Sequence, residues 1–142
     1  MRFLKQTNEY TCGPVAIINC LKDHGYSFTK ADLPEISHQV DCDPVFGTNQ
    51  IMTLAYLSEF LKFRIILEPK LSDLTDKFLM LYETSQVAHI VYVTKKENYY
   101  IVTNYLNESS RKFIHELMTP EEIVTLLRFQ DSIIPNIIPV FA

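Results

Sequence analysis

The sequence predicts an α+β fold, helices first and an antiparallel sheet second, on three observations. In the first half, apolar Ala16, Ile17, Cys20 and Leu21 fall at i, i+1, i+4 and i+5, one face of a helix. In the second half, the β-rich runs "QVAHIVYVT" and "YYIVTNY" flank the polar "KKEN", the pattern of a hairpin. Near the C-terminus, "TPEEIVTLLRF" carries the full set of helix-start signals. Helices and strands that segregate in this way belong to an α+β chain rather than an alternating one. The 142 residues, 47% hydrophobic and 21% charged, suit a single soluble globular domain over residues 1–142.

Taken in order, the first helix runs from Cys12 to His24, and Gly25 stands where a left-handed residue would stop it. "TKADLPEIS" predicts a short helix capped by Thr29 and limited by Pro34, and "DCDPVFG" predicts a loop. Thr48 is the expected cap of a second long helix through Leu61, with Ile51, Leu54, Ala55, Leu57 and Leu61 as its buried stripe. "KFRIILE" predicts a short strand, and "SDLTDKFLMLY" a helix with Leu74, Phe78 and Leu81 turned inward. After the hairpin, "RKFIHEL" predicts a third strand. Thr119 as N-cap, Pro120 at the first position and Glu122 closing a capping box open the last helix. The tail "IIPNIIPVFA" is apolar but broken by two prolines, which suits an extended segment or an edge strand.

Composition narrows the function. The net charge is −4 and no Lys/Arg run exceeds a pair, which argues against a nucleic-acid groove. "MRFLKQTNEY" lacks the apolar core of a signal peptide, and no stretch approaches ~18 consecutive apolar residues, so a cytoplasmic protein without a membrane span is expected. There, Cys12, Cys20 and Cys42 would be thiols, metal ligands or a nucleophile rather than a disulfide framework.

Cys12 opens a helix in "TCGPVAIINCL". A helix N-terminus favours negative charge, and a thiol reacts as its thiolate. Gly13 permits close approach of a substrate backbone, and Pro14 in the first turn forfeits no helical bond. The stretch is either a buried thiol at a helix start or a nucleophile, and a nucleophile needs a base. Of the four histidines, His24 ends the first helix, His38 lies in a polar loop and His115 in a charged, exposed strand. His89 differs, because it sits inside the apolar "VAHIVYV". With "KKEN" as the turn, Thr94 faces Tyr99, and stepping along both strands brings His89 opposite Asn104. Opposed Cβ atoms lie ~4.5–5.5 Å apart, so the Asn104 amide can accept from a ring N–H and fix the tautomer. The pair is either an oriented base or a polar pair at a sheet rim. Gln6, five residues before Cys12, either offers a side-chain NH₂ to an oxyanion or is a solvated amide.

Gln6, then "CGP" opening a helix, then a histidine strand hairpinned to an asparagine strand, resembles the papain-like cysteine peptidases. The likeness is closest to the compact family that includes the bacteriocin-leader (double-glycine) processing peptidases and their stand-alone relatives. It runs from Gln6 to about Phe129, and "CGPVAIINCLKDHGYSFTKADL" is similar to that family's first helix and short second helix. "GTNQIMTLAYLSEFLKFRI" is similar to its Gly-Thr-led helix and following strand. The resemblance implies a papain-like fold, an N-terminal helical lobe packed on a C-terminal antiparallel β-sheet. It implies hydrolysis of a peptide or isopeptide bond in a peptide or protein substrate, without cofactor or metal. Cys12 would be the nucleophile, His89 the general base and then acid, Asn104 its orienting partner and Gln6 the oxyanion-hole donor, the two pairs meeting across a cleft. Where the family has Asp-Pro, this chain has Asn104–Tyr105, and the residue after the histidine is Ile90 rather than an aromatic. A domain without a following transporter is expected, so leader cleavage is one expectation among several.

Other readings stand beside this one. An acyl-enzyme on Cys12 resolved by an amine rather than water would make the chain an acyl- or peptidyl-transferase with the same triad. A fold that keeps the pocket without the chemistry would be a peptide-binding module. Cys20 with His24, and His38 with Cys42, each spaced four apart, could furnish four zinc ligands, although Cys20 also completes the apolar face of the first helix.

Overall fold

Helix α1 (Cys12–Asp23) is buried from Cys12 through Leu21, the burial expected of a helix whose small and apolar residues outnumber its polar ones. It belongs to a computed structural model that describes residues 3–8, 11–42, 49–66, 69–83, 88–107, 109–128 and 137–141. The remaining elements are α2 (Leu33–Gln39), α3 (Gln50–Ser58), β1 (Lys62–Phe63), β2 (Lys77–Glu83), β3 (Ala88–Lys96), β4 (Tyr99–Asn107), β5 (Lys112–Met118), α4 (Pro120–Arg128) and β6 (Ile137–Phe141). The order is that of an α+β chain. Two compact units divide it, one reaching to Lys62 and the other running from Phe63 to Phe141. Among the described residues no helix is long and apolar enough to cross a membrane.

In the first unit the helix stops follow their local chemistry. Gly25 takes φ +93°, and behind it Tyr26 N–H donates to Leu21 C=O at 2.9 Å and Gly25 N–H to Lys22 C=O at 3.1 Å. Those two bonds close the left-handed stop that frees the last carbonyls of α1 from needing other partners. The Thr29 hydroxyl accepts from Ala31 N–H, while Thr29 N–H donates to Asp32 at 2.8 Å, and a 3₁₀ turn over Lys30–Asp32 leads into α2. Pro34 lies in the first turn of α2, where it has no helical bond to lose, so the helix continues to Gln39 and His38 is helical rather than in a loop.

The cap of α3 is Asn49, whose side chain accepts from Met52 N–H at 3.1 Å; Thr48 and most of the "DCDPVFG" loop lie outside the described residues. The buried stripe also differs from the expectation. Ile51 is 77% exposed and Ala55 is exposed, whereas Thr53, Leu57 and Leu61 are buried. Thr53 can take a core position because its hydroxyl donates to Asn49 C=O at 2.9 Å, one turn back, which hides its polarity within the helix.

The sheet has the order β1-β6-β2-β3-β4-β5, with β2 antiparallel to both β6 and β3, and the β3, β4 and β5 pairs antiparallel in turn. Residues 77–83 form strand β2, not a helix. Phe78 through Tyr82 are all buried, the pattern of a strand covered on both faces, which periodicity alone does not separate from a fully buried helix. The tail enters the sheet as β6 between β1 and β2, so it is not an edge strand. On one face Phe78, Met80, Tyr82, Val91, Val93, Tyr100, Val102 and Met118 pack with Ile123 and Leu127 of α4. Helix α4 starts as its sequence predicts: Glu122 N–H donates to the Thr119 hydroxyl and Thr119 N–H to the Glu122 carboxylate, both at 3.1 Å.

The hairpin register is shifted by two from the counted one. Lys95 and Lys96 join the ladder, the turn contracts to Glu97–Asn98 with Glu97 at φ +58°, and the pairs run from Lys96–Tyr99 to Tyr92–Thr103. An even shift keeps every side chain on its own face while changing its partner. Strand β4 then carries one extra residue against β5 between Val102 and Tyr105, a bulge at which Asn104 adopts φ +64°.

The contrast within α3 is testable. Leu57→Ala is expected to cost about 2–5 kcal/mol of unfolding free energy, and Ile51→Ala to stay within about 0.5 kcal/mol of the parent, both read by urea denaturation.

Candidate active site

His89 is 1% exposed, and its Nε2 lies 2.9 Å from the main-chain oxygen of Asn104. The carbonyl can only accept, so Nε2 carries the proton and the basic lone pair of the neutral ring is on Nδ1. The two residues meet as the sequence count proposed, but by a different route. The counted register paired them across the hairpin; the observed one would set His89 level with Leu106. The bulge and the left-handed turn at Asn104 bring the carbonyl back to the ring, and the acceptor is the backbone oxygen where the side-chain amide was expected. Asn is one of the few residues that adopt this backbone readily.

Two aromatic rings flank the imidazole. Tyr82, opposite His89 in the β2–β3 register, meets it edge to face at 5.4 Å, and Phe113 lies at 5.6 Å with an interplanar angle of 31°. The Tyr82 hydroxyl accepts from Leu106 N–H at 3.1 Å, and its ring stacks on Tyr105. The hydroxyl of Thr103, one residue before Asn104, is buried without a hydrogen-bond partner among the described residues. Tyr82 does not stand out in the sequence, because the apolar run "FLMLY" fits a buried helix as well as a central strand.

The other two candidates belong to the first unit. Cys12 is the first residue of α1, a thiol outside any disulfide and 4% exposed. Val15 N–H donates to Thr11 C=O, and Pro14 in the first turn has no N–H to satisfy. Thr11 makes no side-chain cap, because its hydroxyl donates to Asn8 Oδ1 at 2.8 Å, which also accepts Thr11 N–H at 3.1 Å. Gln6 is buried, and its Nε2 donates to Asn8 C=O at 2.6 Å. Asn8 thus ties the Gln6 amide to the residue preceding Cys12. Asn19, buried in α1, accepts from Leu4 N–H at 2.7 Å and donates to Leu4 C=O at 3.0 Å, pinning the segment that carries Gln6 against the helix. Neither asparagine stood out in the sequence, since a polar residue earns such a role only through tertiary placement.

The four residues considered as zinc ligands have other surroundings. His24 Nδ1 lies 2.7 Å from Cys20 C=O and 3.9 Å from Cys20 Sγ, a histidine closing a helix end. Cys20 is buried in the core of the first unit, His38 is exposed on α2, and Cys42 follows that helix with its N–H on Ser37 C=O. Among the described residues no group of three or more His, Cys, Asp or Glu side chains is arranged to hold a metal.

Neither a protein-family model nor a curated protein matches the chain. A solved structure does: the peptidase domain of Streptococcus ComA, a bi-functional ABC transporter involved in a quorum-sensing pathway. It is similar over 96% of this chain and 95% of that one, with a TM-score of 0.64 and 19% sequence identity. The chain therefore has the α+β, papain-like fold of that peptidase domain.

Proposed function

We propose that the chain is a cysteine peptidase that cleaves a peptide or isopeptide bond, with Cys12 as nucleophile, His89 as general base and then acid, Asn104 as the group that orients the imidazole, and Gln6 as an oxyanion-hole donor. The observation that carries this reading is the bond from His89 Nε2–H to the Asn104 carbonyl, which leaves Nδ1 as the base in a buried, aromatic-walled position. The fold shared with a peptidase domain supports it.

In this mechanism the Cys12 proton passes to His89 Nδ1 and the thiolate attacks the scissile carbonyl carbon, forming a C–S bond. The resulting oxyanion takes hydrogen bonds from the Cys12 main-chain N–H and the Gln6 carboxamide. Collapse breaks the C–N bond, and the amine leaves with the proton held on Nδ1. Water, deprotonated by the same nitrogen, then attacks the thioester carbon, releasing the carboxylic acid and restoring the thiol. The carbonyl of Asn104 keeps the ring in one orientation throughout and stabilises the imidazolium through its Nε2–H. A neutral carbonyl does so less strongly than the carboxylate of an Asp would.

Mild iodoacetamide labelling with mass mapping across pH tests the pairing of thiol and imidazole. Cys12 is expected to react far faster than Cys20 and Cys42, already below pH 7, and His89→Ala to abolish the difference; uniform slow labelling of all three would overturn the proposal. Asn104 provides a second test, in cleavage of a fluorogenic peptide library. Asn104→Gly retains the left-handed backbone and the carbonyl, so its kcat is expected to stay within about threefold of the parent. Asn104→Val opposes that backbone and is expected to lose roughly ten- to a hundredfold. Equal losses in the two variants would mean that the side-chain amide, not the carbonyl, does the orienting.

A further inference from the structure

We infer that Tyr82 is a positioning residue for this reaction: it fixes the separation between the His89 ring and the Asn104 carbonyl, and thereby keeps the imidazole proton on Nε2. The inference rests on the reading of His89 as the base. It starts from where the β3–β4 pairing stops. The last pair is Tyr92–Thr103, and beyond it two main-chain groups of β4, Asn104 C=O and Leu106 N–H, take side chains as partners. His89 on β3 satisfies the first. Tyr82 on β2 reaches past β3 to satisfy the second, its hydroxyl 3.1 Å from Leu106 N.

The same side chain touches His89 and both residues that follow Asn104. Its ring abuts His89 edge to face at 5.4 Å and 88°, and stacks on Tyr105 at 5.5 Å and 16°. It is 2% exposed, and these two ring contacts and the hydroxyl bond together hold it in place. Tyr105 and Leu106 are the two residues that follow Asn104, so a shift of Tyr82 moves the segment that presents the carbonyl and the ring that reads it. Phe113 also supports His89, and it meets that segment through its strand pairing with Leu106. Loss of the hydroxyl alone leaves both ring contacts in place and releases Leu106 N–H, which lets the bulged segment drift from the imidazole.

The test is Tyr82→Phe, read by ¹⁵N NMR of the His89 side chain and by kcat and KM on a fluorogenic peptide library. The parent is expected to hold the Nε2–H tautomer with a slowly exchanging ring proton. The variant is expected to show a mixture of tautomers, faster exchange of that proton, and a kcat lowered roughly ten- to a hundredfold with KM within about twofold. Ile123→Val, which trims the same core without touching His89, serves as the control and is expected to leave the tautomer and kcat unchanged. An unaltered tautomer and kcat in Tyr82→Phe would overturn the inference, as would an equal change in Ile123→Val. Should Tyr82→Phe not fold, Tyr105→Leu, which removes the stack and leaves the hydroxyl, is read in the same way, and an unaltered tautomer there overturns it too. A parent without peptidase activity would refute the functional reading, while the tautomer still decides the part played by Tyr82.

Discussion

Buried main-chain groups must be hydrogen-bonded, and β4 meets that requirement in two ways along its length. From Tyr99 to Thr103 it pairs with β3 in the ordinary ladder. Beyond the bulge the ladder no longer supplies partners on that side, and the Asn104 carbonyl takes the His89 ring instead. That substitution of a side chain for a strand links the fold to the chemistry. It needs a histidine at one place on β3, an extra residue in β4 and a backbone that tolerates positive φ, and it determines which nitrogen of the neutral ring carries the proton. The aromatic packing around the ring follows from the same requirement, since a gap in a ladder has to be filled by something of ring size.

In the first unit, the cysteine and the glutamine are placed by asparagines. Asn19 binds both main-chain groups of Leu4, and Asn8 joins the Gln6 amide to Thr11. An asparagine has a donor and an acceptor on one rigid amide, so it can grip a peptide unit as a strand would without adding a strand. Leu4, Gln6 and Thr11 are thereby held by side-chain bonds rather than by strand pairing.

Much of this organisation was legible in the sequence where the signal is local. The Gly25 stop, the Thr29 cap and the Thr119–Glu122 box depend on residues a few positions apart, and they are found where the pattern put them. Strand β2 differs from the expected helix because "FLMLY" is apolar throughout, and periodicity carries no information when every position is buried. The α3 stripe differs because Thr53 behaves as an apolar residue once its hydroxyl turns back on its own helix. For the candidate site, the histidine strand and the asparagine strand could be recognised, but the register could not. A two-residue slip preserves all the facing information available to a count, and the bulge that restores the contact depends on a dihedral angle with no composition signal beyond the asparagine itself.

That dihedral gives position 104 an unusual kind of code. A carboxylate or an amide is specified by side-chain identity, and any pattern that names it will notice its replacement. A carbonyl oxygen belongs to every residue alike, so the polypeptide can exchange letters at this position without changing the atom that meets the imidazole. The constraint is torsional, and Asn is one of a small alphabet able to spell it.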